Sequence, residues 1–411
     1  MSTSSLGSLP PWTPAVSLRR CAGAVDRWLD RTLVGRWWSM RATAIAAVVG
    51  MFLAAPPFGG FADPAIPLWQ YAFANSGPQL FDPAVDVQGQ TGNLTFRVVP
   101  RLFGAALGLD QQWQFYVLQV VAGLVFLWAA CEVFERALRS RRLAALLTVA
   151  TATTWAGATG WLETRGLFDA FGLAFLALAM RARRWPSVFV FALAASFSDE
   201  RAAIALPLVV CWHAWSSAPG GEPDLAADGA EVVEAEVGPR LRSLLRPAGL
   251  AVAGAVLAHL VIRTWLKHRY DLPEGHNRYP DNPFTQLRNY PNGLWTAFEG
   301  LWLVVVCGLW AWFREGRRLV AALVAGLGAV SLLVGMSVVD VTRAVAFAWP
   351  LAPVSLLGVR GLPPAFVRRL VWVAVAVCAV SPMVYAAGDQ TVDWFYPALF
   401  VGPKVVLEWV R

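Results

Sequence analysis

The sequence predicts an all-α, polytopic integral membrane protein of about eleven transmembrane helices, and three observations predict it. Hydrophobic residues make up 57% of the 411-residue chain and charged residues only 15%, too little charge to cover the surface of a water-soluble protein of this length. The apolar residues gather into runs of the length that crosses a lipid core, about 20 residues. Short arginine clusters separate alternate runs, the pattern left by loops that stay on the cytoplasmic side.

The elements follow in order. The Ser- and Pro-rich residues before Val16 read as disordered. From Val16 to Trp38, Leu18, Val25, Trp28, Leu29, Leu33 and Trp37 recur at helical spacing among Arg19, Arg20, Arg27, Arg31 and Arg36. Residues 1–39 are therefore expected to form a cytoplasmic tail with an amphipathic helix in the inner headgroup region, where anionic lipid attracts arginine. A solvated basic tail is the alternative. Apolar runs place spans at 40–57, 112–133, 142–160, 166–180, 185–196, 201–215, 247–265, 293–313, 319–338, 344–358 and 369–386. The transmembrane domain thus covers 40–386. The short run 185–196 joins 201–215 through Ser-Phe-Ser-Asp-Glu, so these two are also readable as one re-entrant hairpin. Two outer loops, 58–111 and 263–292, are long. An inner segment, 216–246, is Gly/Pro-rich and acidic and reads as a linker. Residues 387–411 form an extracytoplasmic tail.

Charge sets the orientation. With the N-terminus inside, the inner segments hold 22 of the 34 basic residues, and every inner loop carries a cluster, as in Arg-Ala-Arg-Arg at 181–184. The acids divide the other way, with 16 of the 27 on or near the outer side. No nucleic acid is expected as a partner despite the net charge of +7, because the positive residues sit between apolar runs and no recognition motif accompanies them. The five cysteines form no close pair, and no small-residue cleavage site follows the first apolar run. His213 and His259 stand alone within spans, and His268 and His276 have no metal-binding spacing to Asp271, Glu274 or Asp281. No metal ligand is assigned and no cofactor is indicated; no motif decides whether a divalent metal takes part. Nucleotide-binding, zincin and serine-hydrolase motifs are absent from the sequence.

Ionised groups at span mouths are expensive and mark sites. Arg165 and Asp169, four residues apart in Trp-Leu-Glu-Thr-Arg-Gly-Leu-Phe-Asp, are expected to share a helical face and pair, as a structural pair or as part of a site. In Ser-Asp-Glu-Arg at 198–201, Ser198 is a natural N-cap and acids suit the first turn, with Glu200 the functional candidate. Asp340 and Arg343 are three apart and can pair, and Arg343 is placed to meet an anion such as a lipid phosphate. Glu299 falls inside an apolar run, where an acid needs a partner or water. The first outer loop carries Asp63, Asp82 and Asp86, each also readable as a turn residue, and then an interfacial helix with Arg97 and Arg101.

This order of elements resembles a known family. A first span leads to a long acidic outer loop, then to Phe96, Arg97 and Pro100, then to a span ending in basic residues. "TRGLFDAFGLAFLALA" follows at 164–179, then a short span and "SDERAAIALPLVV" at 198–210, with "DVTRAVAFAWP" at 340–350. The pattern is similar to the GT-C superfamily, polytopic glycosyltransferases that take sugars from polyprenyl-phosphate donors, in a divergent bacterial form. Asp199, Glu200 and Pro207 match an acidic dipeptide that often precedes a Pro-containing helix in bacterial members.

The resemblance implies a GT-C-like fold in a bacterial inner membrane and an inverting transfer from a polyprenyl-phosphate-linked sugar to a glycan, lipid or protein acceptor outside. A carboxylate in the first outer loop would act as the base. Asp63 occupies that place without the usual adjacent acid, and Asp82 and Asp86 are the alternatives. Arg97, Arg101 or Arg343 would neutralise the departing phosphate, with Arg165, Asp169, Glu200 and Asp340 nearby. Two other readings stand beside it. A transporter or lipid flippase needs a polar path through both leaflets, whereas these acids keep to the outer half. A non-catalytic membrane assembly factor needs no site at all.

Overall fold

All eleven apolar runs form helix, in the expected order, but not all of them as one rod. The computed structural model describes residues 14–54, 95–163, 166–216, 244–272, 290–338, 340–381, 383–387 and 391–395. Asp63, Asp82, Asp86 and Arg165 lie outside the described residues. Helix α1 (Pro14–Thr32) precedes the first run, which is α2 (Trp38–Leu53). The expected interfacial helix is α3 (Val98–Leu107), followed by α4 (Gln112–Leu138). The run 142–160 divides into α5 (Arg141–Thr153) and α6 (Trp155–Leu162). Then come α7 (Asp169–Arg181), α8 (Trp185–Ser198), α9 (Glu200–Ser216) and α10 (Pro247–Tyr270). The run 293–313 divides into α11 (Tyr290–Phe298) and α12 (Leu301–Arg314), whose axes differ by 82°. After α13 (Arg318–Met336), the run 344–358 becomes α14 (Val341–Ala346) and α15 (Leu351–Val359), and α16 (Pro364–Val380) completes the bundle.

Helices α4, α10 and α13 are each long and apolar enough to cross a membrane, and the bent pair α11–α12 makes a fourth if it counts as one span. The expectation of eleven spans is therefore not met by unbroken helices. An apolar run records burial, not straightness, and polar residues stand at two of the three breaks. Thr154 ends α5, its hydroxyl donating to the Thr151 carbonyl at 2.8 Å. Glu299, at φ +45°, separates α11 from α12. The last expected span, 369–386, also ends early, at Val380. An antiparallel hairpin of β1 (Met383–Ala387) and β2 (Thr391–Phe395) follows, with Met383 opposite Phe395.

Helix α4 runs through the core. Its Phe126 and Phe134 set their edges against Trp349 at 4.9 and 5.8 Å between ring centroids. It approaches α6 at Gly123 and Gly160, where a methyl on Gly160 would come within 2.8 Å of the Gly123 Cα. The outward faces of α10, α12, α13 and α16 expose Leu257, Trp265, Val306, Leu333 and Val373, among others, a belt suited to lipid. Helix α1 docks through buried Asp26, which lies 2.5 Å from Arg368, and through Asp30, which accepts from Arg142 at 2.9 Å. The first expected element is thus helical and joined to the bundle by these ion pairs.

Candidate functional site: a buried ionic network

Arginines and carboxylates from four separate stretches of sequence meet where α7 and α9 begin. The turn before α7 makes this possible. Gly166 and Phe168 both adopt positive φ, +84° and +58°, and the side chain at Phe168 makes the second of these costly. The chain thereby delivers Asp169 as the first residue of α7, where the helix dipole favours a carboxylate. Asp169 is 2% exposed. Its two oxygens accept from Arg343 Nε at 2.5 Å and Nη2 at 2.7 Å, a two-pronged pairing that suits a guanidinium. Arg201 Nη2 donates to the same carboxylate at 3.0 Å, and Arg97 Nη1 lies 3.9 Å from it.

The α8–α9 junction supplies the second acid. Asp199 is fully buried and accepts from the Arg201 backbone N–H at 2.9 Å, so it caps α9. Arg201 also returns its own guanidinium to Asp199, Nε at 2.7 Å and Nη2 at 2.5 Å. Arg97 Nη1 reaches the same carboxylate at 3.0 Å. Burial alone would push the Asp199 carboxyl up, but Arg201 and Arg97 outweigh it and hold it below the ordinary carboxylate range. Gly172 gives room for this convergence, since a methyl there would sit 2.7 Å from the Phe347 ring and 3.4 Å from Asp199 Cβ. The Phe347 ring in turn lies 4.9 Å beneath the Arg201 guanidinium.

The rim is more open. Glu200 keeps 30% side-chain exposure, and its Oε1 lies 3.5 Å from Arg97 Nη2. Asp340 keeps 27% and accepts from Arg343 Nη1. Glu163 is buried 3.8 Å from Arg343 Nε. Arg101 points elsewhere among the described residues: it donates to the carbonyls of Thr95 at 2.5 Å and Arg97 at 3.4 Å, fixing the start of α3 and so the position of Arg97.

Of the residues singled out from sequence, the structure brings Arg97, Asp169, Glu200, Asp340 and Arg343 together. Asp340 and Arg343 pair across three residues, as expected. The expected pairing of Arg165 with Asp169 falls on a residue outside the described ones. One local expectation is overturned. Ser198 is no N-cap: it is the last residue of α8, its hydroxyl donates to the Ala194 carbonyl at 2.8 Å, and Asp199 caps α9 instead. Glu163, Asp199 and Arg201 were not foreseen as members, although Asp199 and Arg201 flank Glu200 in the segment that drew attention. His213 is structural, its Nε2 2.8 Å from the Ala179 carbonyl. No cluster of His, Cys, Asp and Glu suited to a metal ion occurs among the described residues.

Compared with known proteins, the chain matches no family model, no curated protein and no solved structure.

Proposed function

We propose that the chain is an eleven-span membrane glycosyltransferase of the GT-C type, moving a sugar from a polyprenyl-phosphate donor to an extracytoplasmic acceptor with inversion at the sugar carbon. The observation that carries this reading is the meeting of Arg97, Asp169, Glu200 and Arg343, up to 246 residues apart in sequence, at one end of the bundle. That end is opposite the arginine-rich loops, which the charge distribution assigns to the cytoplasm. The eleven spans are the apolar runs counted with their breaks, α5–α6, α11–α12 and α14–α15 each making one crossing.

The chemistry asks for two charges. A carboxylate takes the acceptor hydroxyl proton as the oxygen attacks the sugar carbon from the face opposite the phosphate. A cation stabilises the charge growing on the departing phosphate. Asp63, with Asp82 and Asp86 as alternatives, is the proposed base. Arg97 is the proposed phosphate partner, because its contact with the exposed Glu200 is long and exchangeable for a phosphate oxygen. Arg343, clamped by Asp169 and Asp340, holds the frame.

One observation favours a second reading, a non-catalytic assembly factor. Arg97, Arg201 and Arg343 are each already bonded to carboxylates, as a purely structural network would have them. Sugar transfer from radiolabelled polyprenyl-phosphate donors, measured in membranes, separates the two. Asp63→Ala is expected to lower transfer by about 10²–10⁴-fold, the contribution of a general base, with an unchanged melting temperature. If no donor is turned over or bound, the assembly reading replaces this one. Retained configuration at the sugar carbon would eliminate the single-displacement mechanism.

A further inference from the structure

We propose that Glu299 is a second chemical site, a carboxyl that holds an exchangeable proton inside the helix bundle and is open to attack on hydrophobic carbodiimides. This inference does not rest on the glycosyltransferase reading.

Three observations meet at this residue. Glu299 is 1% exposed, and among the described residues neither carboxyl oxygen has a hydrogen-bond partner. Its backbone is left-handed, at φ +45°, in the break where α11 turns by 82° into α12. The backbone groups around it are satisfied: its N–H donates to the Trp295 carbonyl at 2.6 Å, and its carbonyl accepts from Trp302 at 3.1 Å. The unmet capacity is therefore confined to the carboxyl. Gly300 seals the site on the α16 side, since a methyl there would meet the Ala374 carbonyl at 2.1 Å.

The titratable group beside Glu299 is Cys378 of α16, which interacts with it electrostatically. Its thiol donates weakly to the Phe298 carbonyl at 3.9 Å. Among the described residues, no arginine, lysine or histidine pairs with Glu299. This sets it apart from the ionic network, where every buried acid has a guanidinium.

An ionised carboxylate buried without a partner is far costlier than a neutral one. The form that fits the site is the neutral acid. A left-handed non-glycine backbone adds a further cost. Leucine would fill a site of this kind with no unmet oxygen. An acid held at such cost inside an apolar run has the character of a group that exchanges protons, and a broken helix is a place where polar chemistry is tolerated at that depth.

The same neutral acid is the reactive form toward carbodiimides. The carboxyl adds across a C=N bond of the reagent: one oxygen bonds to the central carbon and the proton passes to nitrogen. The O-acylisourea then rearranges to a stable N-acylurea. Nothing leaves, nothing is oxidised or reduced, and the protein gains the mass of one reagent molecule.

The experiment treats the full-length protein in detergent micelles with dicyclohexylcarbodiimide and maps the adduct by peptide mass spectrometry. The expected result is a one-reagent adduct on Glu299 that is lost in Glu299→Gln. In parallel, infrared difference spectra of wild type in H₂O and D₂O should show a protonated-carboxyl carbonyl band that shifts on exchange, and the band should vanish in Glu299→Gln. The wild-type isotope shift and the mapped adduct stand even if that variant misfolds. Adducts confined to other carboxyls, or the absence of an exchangeable band, would overturn the proposal. Protection of Glu299 by sodium ions at constant pH would overturn it in favour of an alkali-cation site.

Discussion

Asp169 is the residue on which the ionic network turns, because both of its oxygens are used and three arginines approach it. Removing its charge leaves Arg343 and Arg201 buried with an incomplete set of acceptors. Asp169→Asn is therefore expected to destabilise the protein by about 3–5 kcal/mol, the cost of breaking a buried pair from one side. Glu200→Gln, at the exposed rim, is expected to cost at most about 1 kcal/mol. Thermal melts of both variants in detergent make the comparison, and equal losses would show that Asp169 is no node. The sequence made half of this legible. Spacing identifies partners within a turn, so the Asp340–Arg343 pair was readable. Asp169, by contrast, bonds Arg343, 174 residues away. No local pattern carries that pairing. Arg201 and Asp199 were hidden for a different reason. They stand two residues apart at a helix start, where the chain folds an arginine back onto its own cap, and helical periodicity has nothing to say about such a junction.

At the scale of elements, hydrophobic runs located every helix of the bundle but not the breaks. Burial is set by side-chain polarity, and bends are set by a few backbone groups. Thr153-Thr154 and Glu299-Gly300 are the polar interruptions that coincide with breaks, and they were visible only as single polar letters in apolar stretches. Packing between the pieces depends on glycine at close approaches. Gly123 and Gly160 bring α4 and α6 together with room for no side chain, and α6 leads directly to Glu163 at the network. Gly160→Ala is expected to cost about 1–3 kcal/mol through overpacking. Gly326, in the middle of α13, has nothing within 4 Å of an added methyl. Gly326→Ala should instead be neutral or stabilising by up to about 1 kcal/mol, from helix propensity alone. Melting both variants side by side tests whether the α4–α6 approach is as tight as drawn. A Gly160→Ala protein as stable as Gly326→Ala would mean that the two helices stand further apart.

For the whole molecule, three or four helices among the described residues are long and apolar enough to cross a membrane, against eleven apolar runs. A helix of 13 residues, such as α7, is only about 20 Å long at 1.5 Å per residue, short of a hydrocarbon core of about 30 Å. Such helices serve as crossings only where their ends are covered by protein, and the ionic network lies at the first turns of α7 and α9. Counting every run as a crossing gives an odd number, so the proposed topology puts the two ends of the chain on opposite sides. Counting only the unbroken long helices and the bent pair gives an even number and puts them on the same side. Cys21 in α1 is exposed, which makes it a natural reporter of the first side. In right-side-out vesicles, a membrane-impermeant maleimide is expected to leave Cys21 unlabelled until the membrane is opened. With Cys21 replaced by serine, Asp389→Cys should label without opening. Labelling of both positions from outside, or of neither, would require an even number of crossings, and the short helices would then be re-entrant. The reverse pattern would keep the odd count but invert the molecule, placing the arginine-rich loops outside and the network on the cytoplasmic face. That result would remove the extracytoplasmic acceptor from the proposed reaction while leaving the fold as described.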